Sequence, residues 1–119
     1  MKNIVLHHTG TYATAEANIE YFKEHIEKNE KLLYKPNYFI DMNGETFSSE
    51  IQNDSETINI DFIGLFDDEL THAQKDSFKL LFNLLKEDND DIDIKFDERC
   101  MHNYLSDSKQ QELISYITN

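Results

Sequence analysis

Four residues whose side chains are zinc-ligand types follow two strand-like segments of this chain. His7 comes after the first apolar run of the sequence, whereas Asp97, Cys100 and His102 follow the last alternating run. Imidazole, thiolate and carboxylate are all zinc ligands. A catalytic zinc has three protein ligands and one open position for a water, whose pKa it lowers to about 7 while it polarises a carbonyl. By donor type alone, His7, Asp97 or Cys100, and His102 are chemically acceptable as a zinc set.

Two of these residues also have simpler interpretations. His7 can be a strand-end histidine whose ring is satisfied by neighbouring protein groups. Cys100 can be a small buried hydrophobic residue, and as the single cysteine of the chain it forms no internal disulfide.

The first half of the chain predicts a strand, a helix and a hairpin. Residues 4–6 form a short buried-strand pattern, and apolar residues recur on one face of a helix from Ala15, with Thr14 as its N-cap. Strand patterns at 38–42 and 45–47 flank Asn43-Gly44. This dipeptide predicts a type I′ turn, in which both central residues have positive φ.

The second half predicts two more strands and two more helices. Apolar residues alternate over 58–62 and again over 92–96, as in half-buried strands. A capping box at Thr71-x-x-Gln74 opens the longest helix, and Asp107-x-x-Gln110 resembles a cap for the last one. We therefore predict an α/β fold with a mixed sheet flanked by three helices, in one domain over residues 1–119.

Composition excludes some partners. The chain has 11 Lys and Arg against 24 Asp and Glu, a formal charge of -13, which repels nucleic acid and attracts a basic protein. No apolar run approaches the roughly 20 residues of a membrane span, and no signal-peptide pattern opens the sequence. We expect a cytoplasmic protein with neither nucleic-acid nor membrane partners.

Three stretches in order resemble a known family. They are an apolar strand with a histidine pair at residues 4–9, an aromatic strand with an Asn-Gly hairpin at 38–47, and the run TINIDFIGLFD at 57–67 with the Thr71 helix start beyond it. Together they are similar to the zinc amidases that cut between muramic acid and L-alanine, and to the related peptidoglycan recognition proteins. The match extends over roughly residues 4 to 86 and implies their fold.

The resemblance also implies roles for single residues. His7 takes the place of the first zinc ligand, and Asp61 takes that of a strand glutamate that activates water, although it is one methylene shorter. The simpler interpretation of Asp61 is an exposed strand carboxylate. Tyr34 and Tyr38 flank the position where some members have a tyrosine, so they are candidates for substrate binding; Tyr38 also fits a packed strand residue.

The last strand departs from the family pattern. The family has a histidine directly after it, where this chain has Phe96 or Asp97, and Cys100 and His102 follow without the usual Pro-Gly. The loop at 48–56 is also shorter than in the family. The resemblance thus implies an incomplete site, with no cofactor expected, or Zn²⁺ if the site is intact.

Three functions stay open at this point. The first is a non-catalytic domain that binds a peptidoglycan fragment. The second is an active zinc-dependent N-acetylmuramoyl-L-alanine amidase. The third is an acidic inhibitor, immunity or phage regulatory protein that binds a basic protein on the same scaffold.

Overall fold

The strands and helices follow one another along the chain in the predicted order. The computed structural model describes residues 2–30, 32, 34–51, 56–64, 70–89, 91–97 and 105–119. Its elements are β1 (Lys2–His8), α1 (Ala15–Glu27), β2 (Tyr38–Ile40), β3 (Thr46–Ser48), β4 (Thr57–Phe62), α2 (His72–Glu87), β5 (Ile92–Phe96) and α3 (Asp107–Thr118).

The five strands form one mixed sheet in the order β3-β2-β4-β1-β5. Strand β1 lies between β4 and β5 and runs parallel to both, whereas β3 pairs antiparallel with β2. In this register His7 lies beside Asp61, and the backbone N–H of Asp97 donates to the carbonyl of Leu6. The parallel pairing therefore brings the carboxyl ends of β1, β4 and β5 together at one edge, and the predicted α/β class is confirmed.

Each face of the sheet is covered by helices. The larger core lies between the sheet and helices α2 and α3, and includes Leu6, Ile60 and Phe62. A smaller core under α1 contains Ala15, Phe39 and Ile63. Because side chains alternate along a strand, the face opposite Leu6 and Ile60 is the α1 face. His7, Asn59 and Asp61 point to that face, and all three are polar.

Two of the predicted helix caps are confirmed and one is wrong. Thr14 accepts a hydrogen bond from the Ala17 N–H, and Thr71 forms a complete capping box with Gln74. The cap of α3 is Ser106, not Asp107: Ser106 has an extended backbone and accepts from the Lys109 N–H. Asp107 is instead an acidic residue in the first turn, where it favours the positive end of the helix dipole.

The predicted hairpin is present, but its turn type is wrong. Gly44 has a φ of 87°, whereas Asn43 does not have positive φ. The Gly44 N–H donates to the Asp41 carbonyl, and the Asp41 carboxylate accepts from the N–H groups of Asn43 and Glu45. The aspartate thus organises a longer turn in which the glycine alone takes the left-handed conformation.

Within the described ranges, no helix has the length and apolar character needed to cross a membrane.

Candidate functional site

His7 lies at the carboxyl end of β1, and both nitrogens of its ring contact protein oxygens. Its Nδ1 lies 2.8 Å from Oδ2 of Asp97, and its Nε2 lies 2.9 Å from Oδ1 of Asn59. The amide nitrogen of Asn59 donates to the Lys35 carbonyl at 3.2 Å, which leaves its oxygen facing the histidine. His7 is only 1% exposed. The ring is therefore held in place from both ends.

Tyr34 covers one face of this histidine. The two rings are stacked, with centroids 3.7 Å apart and planes within 4° of parallel. The hydroxyl of Tyr34 then donates to Oδ2 of Asp61 at 2.8 Å. One tyrosine thus shields His7 and provides a hydrogen bond to the carboxyl group of the next strand.

Asp61 is a buried carboxyl group that the protein satisfies only in part. It is 1% exposed, and its second oxygen, Oδ1, has no hydrogen-bond partner within the described residues. Burial raises the pKa of Asp61 to about 7, because the charged form is desolvated. The negative charge of Asp97 raises this pKa further, while the Tyr34 hydrogen bond lowers it. The expectation that Asp61 is an exposed strand carboxylate is therefore wrong, because the face of the sheet on which it lies is covered by helix α1.

A pocket of about 440 Å³ opens beside Asp61 and Tyr34, between the end of β1 and helix α1. We call it the Asp61 pocket. Aromatic and hydroxyl groups dominate its wall, which includes Thr9, Thr11, Asn18, Tyr21, Phe22 and Tyr34. Asp61 is the only carboxylate among the described residues of this wall, and none of them is Lys or Arg. The arrangement can receive a ligand that offers hydrogen-bond donors and an apolar face.

The described residues do not fit a zinc ion as they stand. Two ligand atoms on a tetrahedral zinc, with bonds of about 2.0–2.1 Å, lie about 3.3 Å apart. The 2.8 Å between His7 and Asp97 is instead a hydrogen-bond distance, and the other ring nitrogen contacts Asn59. No cluster of three or more His, Cys, Asp or Glu suited to a metal occurs in the described part of the chain.

The structure brings together four of the seven residues singled out from the sequence. His7, Asp97, Asp61 and Tyr34 meet at one edge of the sheet. Tyr38 does not join them: it packs on the larger core, as a strand residue should.

Cys100 and His102 lie outside the described residues, so their part in a metal set stays a prediction.

Asn59 was not singled out from the sequence, although it fixes one end of His7. A signal for it was present. Asn59 and Asp61 alternate with the apolar residues of β4, so they share the face that His7 takes on β1. The alternation alone did not reveal that this polar face is buried, because the polar face of a strand is most often exposed to solvent.

Comparison with solved structures identifies the architecture. The N-acetylmuramoyl-L-alanine amidase LysC from Clostridium intestinale URNW matches with a TM-score of 0.72 and 18% identity, covering 98% of this chain and 85% of that one. The endolysin amidase LysCS from the same organism matches at 0.73 and 19%, covering 98% and 83%. The chain has the amidase/PGRP fold. PGRP-Hd from Alvinella pompejana shares this fold at a TM-score of 0.69 and 15% identity, over 92% of this chain and 81% of that one.

The predicted fold family is thereby confirmed at the level of architecture. No protein-family model matches the sequence, and a comparison with curated proteins finds no match either. Because the structural matches share under a fifth of their residues with this chain, the amidase/PGRP fold is common to them, and the chemistry must be argued from the site.

Proposed function

We propose that this amidase/PGRP-like domain is a non-catalytic binding domain whose ligand is a peptidoglycan fragment. The observation that carries the proposal is the state of His7. Both of its ring nitrogens contact protein oxygens, and Tyr34 stacks on its face. The residue best placed to bind a metal or transfer a proton is thus closed off, while the neighbouring pocket is open.

Hydrolysis of an amide needs a group that activates water. A ligand histidine must present a lone pair to the metal, and a general base must reach the water. In this structure Nδ1 of His7 meets a carboxylate and Nε2 meets an amide oxygen. These contacts support a structural role for the histidine, in which it links β1 to β4 and to the end of β5.

The Asp61 pocket supports binding of a fragment with both sugar and peptide character. Aromatic rings such as Tyr21 and Phe22 provide flat apolar faces, and Thr9 and Thr11 provide hydroxyls. Pockets that combine apolar walls with a few polar groups are typical ligand sites. The amidases that share the fold are named for N-acetylmuramoyl-L-alanine, and we propose that a ligand of this class binds here.

Retention on insoluble peptidoglycan tests the proposal. We expect the protein to sediment with purified peptidoglycan and to release no soluble fragments. Tyr21→Ala removes a 55% exposed ring from the pocket wall and should lower retention. Leu80→Ala is the control, because this 66% exposed leucine lies on α2, which packs on the opposite face of the sheet. Absence of retention would overturn the proposal and leave a basic protein as the partner to seek.

An active zinc-dependent amidase is the second candidate. The observation in its favour is that Nδ1 of His7 and Oδ2 of Asp97 point at each other from adjacent strand ends. A separation only about half an ångström larger would match two ligands of one zinc. Metal analysis of the purified chain distinguishes the two functions: we expect well under one zinc per chain. Near one zinc, lost in His7→Ala, together with cleavage of peptidoglycan, would establish the amidase instead.

A further inference from the structure

A second pocket lies between helices α2 and α3, on the face of the sheet opposite the Asp61 pocket, and the proposed function does not use it. Its volume is about 230 Å³. Three leucines of the larger core form part of its wall, and a tyrosine and three charged side chains complete the described part of that wall. We call it the α2–α3 pocket.

The apolar part of this wall is held in place by the fold. Leu70, Leu105 and Leu113 are each no more than 4% exposed and belong to the larger core. The ring of Tyr116 packs on the same core, and its hydroxyl donates to Oδ1 of Asp76 on α2. Because an apolar cavity of about 150 Å³ is large enough for benzene, the α2–α3 pocket has room for a hydrocarbon group of about six carbons.

The charged part of the wall favours an anion. Lys75 and Lys109 carry two positive charges against the one negative charge of Glu112, so the described wall has a net charge of +1 in a chain of formal charge -13. Nζ of Lys109 lies 3.7 Å from Oε2 of Glu112, which is beyond hydrogen-bond distance. This ammonium group makes no hydrogen bond to the described residues, so its donors can serve a ligand.

We infer that the α2–α3 pocket binds a small aliphatic carboxylate. Its hydrocarbon chain packs on the leucines, and its carboxylate accepts hydrogen bonds from Lys109 and is attracted by Lys75. A ligand with a single negative charge matches the net charge of the described wall, whereas a polyanion is repelled by the acidic chain as a whole. The inference does not rest on the proposed function, because the two pockets share no wall residue in the described chain.

Hexanoate and hexanamide are matched probes for this pocket, because they have the same hydrocarbon chain and nearly the same shape but differ in charge. Titration of isotope-labelled protein, followed by two-dimensional NMR at neutral pH, gives a Kd for each probe and locates the binding site through the shifted amide signals. We expect hexanoate to bind at least about 10-fold more tightly than hexanamide, since hydrogen bonds to charged groups contribute more than neutral ones. The largest shifts should occur at Leu105 and Leu113.

Acetate serves as the probe without a hydrocarbon chain. It keeps the carboxylate but lacks the methylene groups that pack on the leucines. Because each buried methylene group contributes about 0.8 kcal/mol, acetate should bind at least about 10-fold more weakly than hexanoate. Equal binding of acetate and hexanoate would show that the apolar wall takes no part, and would overturn the inference.

Two protein variants complete the design. The double substitution Lys75→Met and Lys109→Met removes both positive charges and keeps apolar side chains of similar length, so the ratio of the two Kd values should fall to about 1. Lys86→Met is the matched control. Lys86 also lies on α2, but its ammonium group stands 5.9 Å from the ring centroid of Phe82 and it is not part of the described pocket wall. This control should keep the wild-type ratio.

The remaining outcomes identify other occupants. Equal affinity of the wild-type protein for hexanoate and hexanamide would overturn the inference, and so would shifts centred on Thr9 and Asn18 of the Asp61 pocket. Tighter binding of the peptide N-acetyl-Gly-Gly-Leu than of hexanoate would assign the pocket to the C-terminus of a partner protein and overturn the assignment to a free carboxylate. Retention of the double variant on peptidoglycan should equal that of the wild-type protein, so the two proposals fail independently.

Discussion

Replacing Asp61 with asparagine removes one ionisable group from the covered face of the sheet and nearly preserves the shape of the side chain. Burial raises the pKa of this carboxyl from 3.8 to about 7. A group whose folded pKa lies above its unfolded pKa binds more protons when folded. The stability it contributes is complete below the unfolded pKa and is lost as the pH rises through the folded pKa. Wild-type protein should therefore lose stability between about pH 4 and pH 7 on account of Asp61.

The magnitude follows from the two pKa values. Relative to a pH below both pKa values, stability falls by about 2 kcal/mol at pH 5.5, where only the unfolded chain ionises Asp61, and by about 4 kcal/mol at pH 8, where both states do, at 1.36 kcal/mol per pKa unit. The difference in unfolding free energy between Asp61→Asn and wild type should thus grow by about 2 kcal/mol over this range. Any constant cost of burying the asparagine amide cancels in that comparison.

Urea denaturation at several pH values measures this difference. The lowest value, pH 5.5, keeps the protein above its pI of about 4.6. Asp93→Asn serves as the control, since it removes a charge from an exposed strand position. Parallel stability curves for wild type and Asp61→Asn would refute the argument that this carboxyl is held at a raised pKa.

Three further substitutions test the geometry around the site and the hairpin, each by urea denaturation. Tyr34→Phe keeps the ring over His7 but removes the donor to Asp61, so we expect a loss of about 1–2 kcal/mol that is larger at pH 8 than at pH 5.5; an unchanged stability would contradict the hydrogen bond. Gly44→Ala should destabilise by more than about 1 kcal/mol, because φ is 87° and a Cβ would lie 2.8 Å from the carbonyl oxygen of Ala73. Thr71→Ala should cost about 1 kcal/mol through loss of the capping box, whereas Thr46→Ala, on an exposed edge-strand position, should cost less.

Short sequence patterns were sufficient to predict the strands and helices, because hydrophobic periodicity and capping act over a few neighbouring residues. Alternating apolar residues over 58–62 and 92–96 gave strands β4 and β5, and the capping box at Thr71 gave the start of α2. Errors arose where a neighbouring polar side chain takes a role that the pattern assigned elsewhere. Ser106 takes the cap expected of Asp107, and the Asp41 carboxylate shapes a turn that the dipeptide Asn43-Gly44 alone did not predict.

The geometry of the site was harder to predict than the strands and helices, because the burial of a side chain depends on the whole molecule. A carboxylate in an alternating strand usually faces water, and the sequence favoured this for Asp61. In the structure, helix α1 and Tyr34 cover that face, which buries the carboxyl and raises its pKa. Nothing local to β4 carries that information, since the covering residues lie at least 27 positions away along the chain.

The amino-acid sequence by itself determined which segments become strands and helices and which side chains with acid, base or metal-binding chemistry end the central strands. Hydrophobic periodicity and capping act over a few residues, so they can be followed along the chain. Only the tertiary structure decided that His7 contacts Asp97 and Asn59 through its two nitrogens, and that one oxygen of Asp61 is buried without a hydrogen-bond partner in the described part of the chain. Those contacts join residues up to 90 positions apart, from His7 to Asp97, and parallel strand pairing, which no local pattern specifies, brings them together.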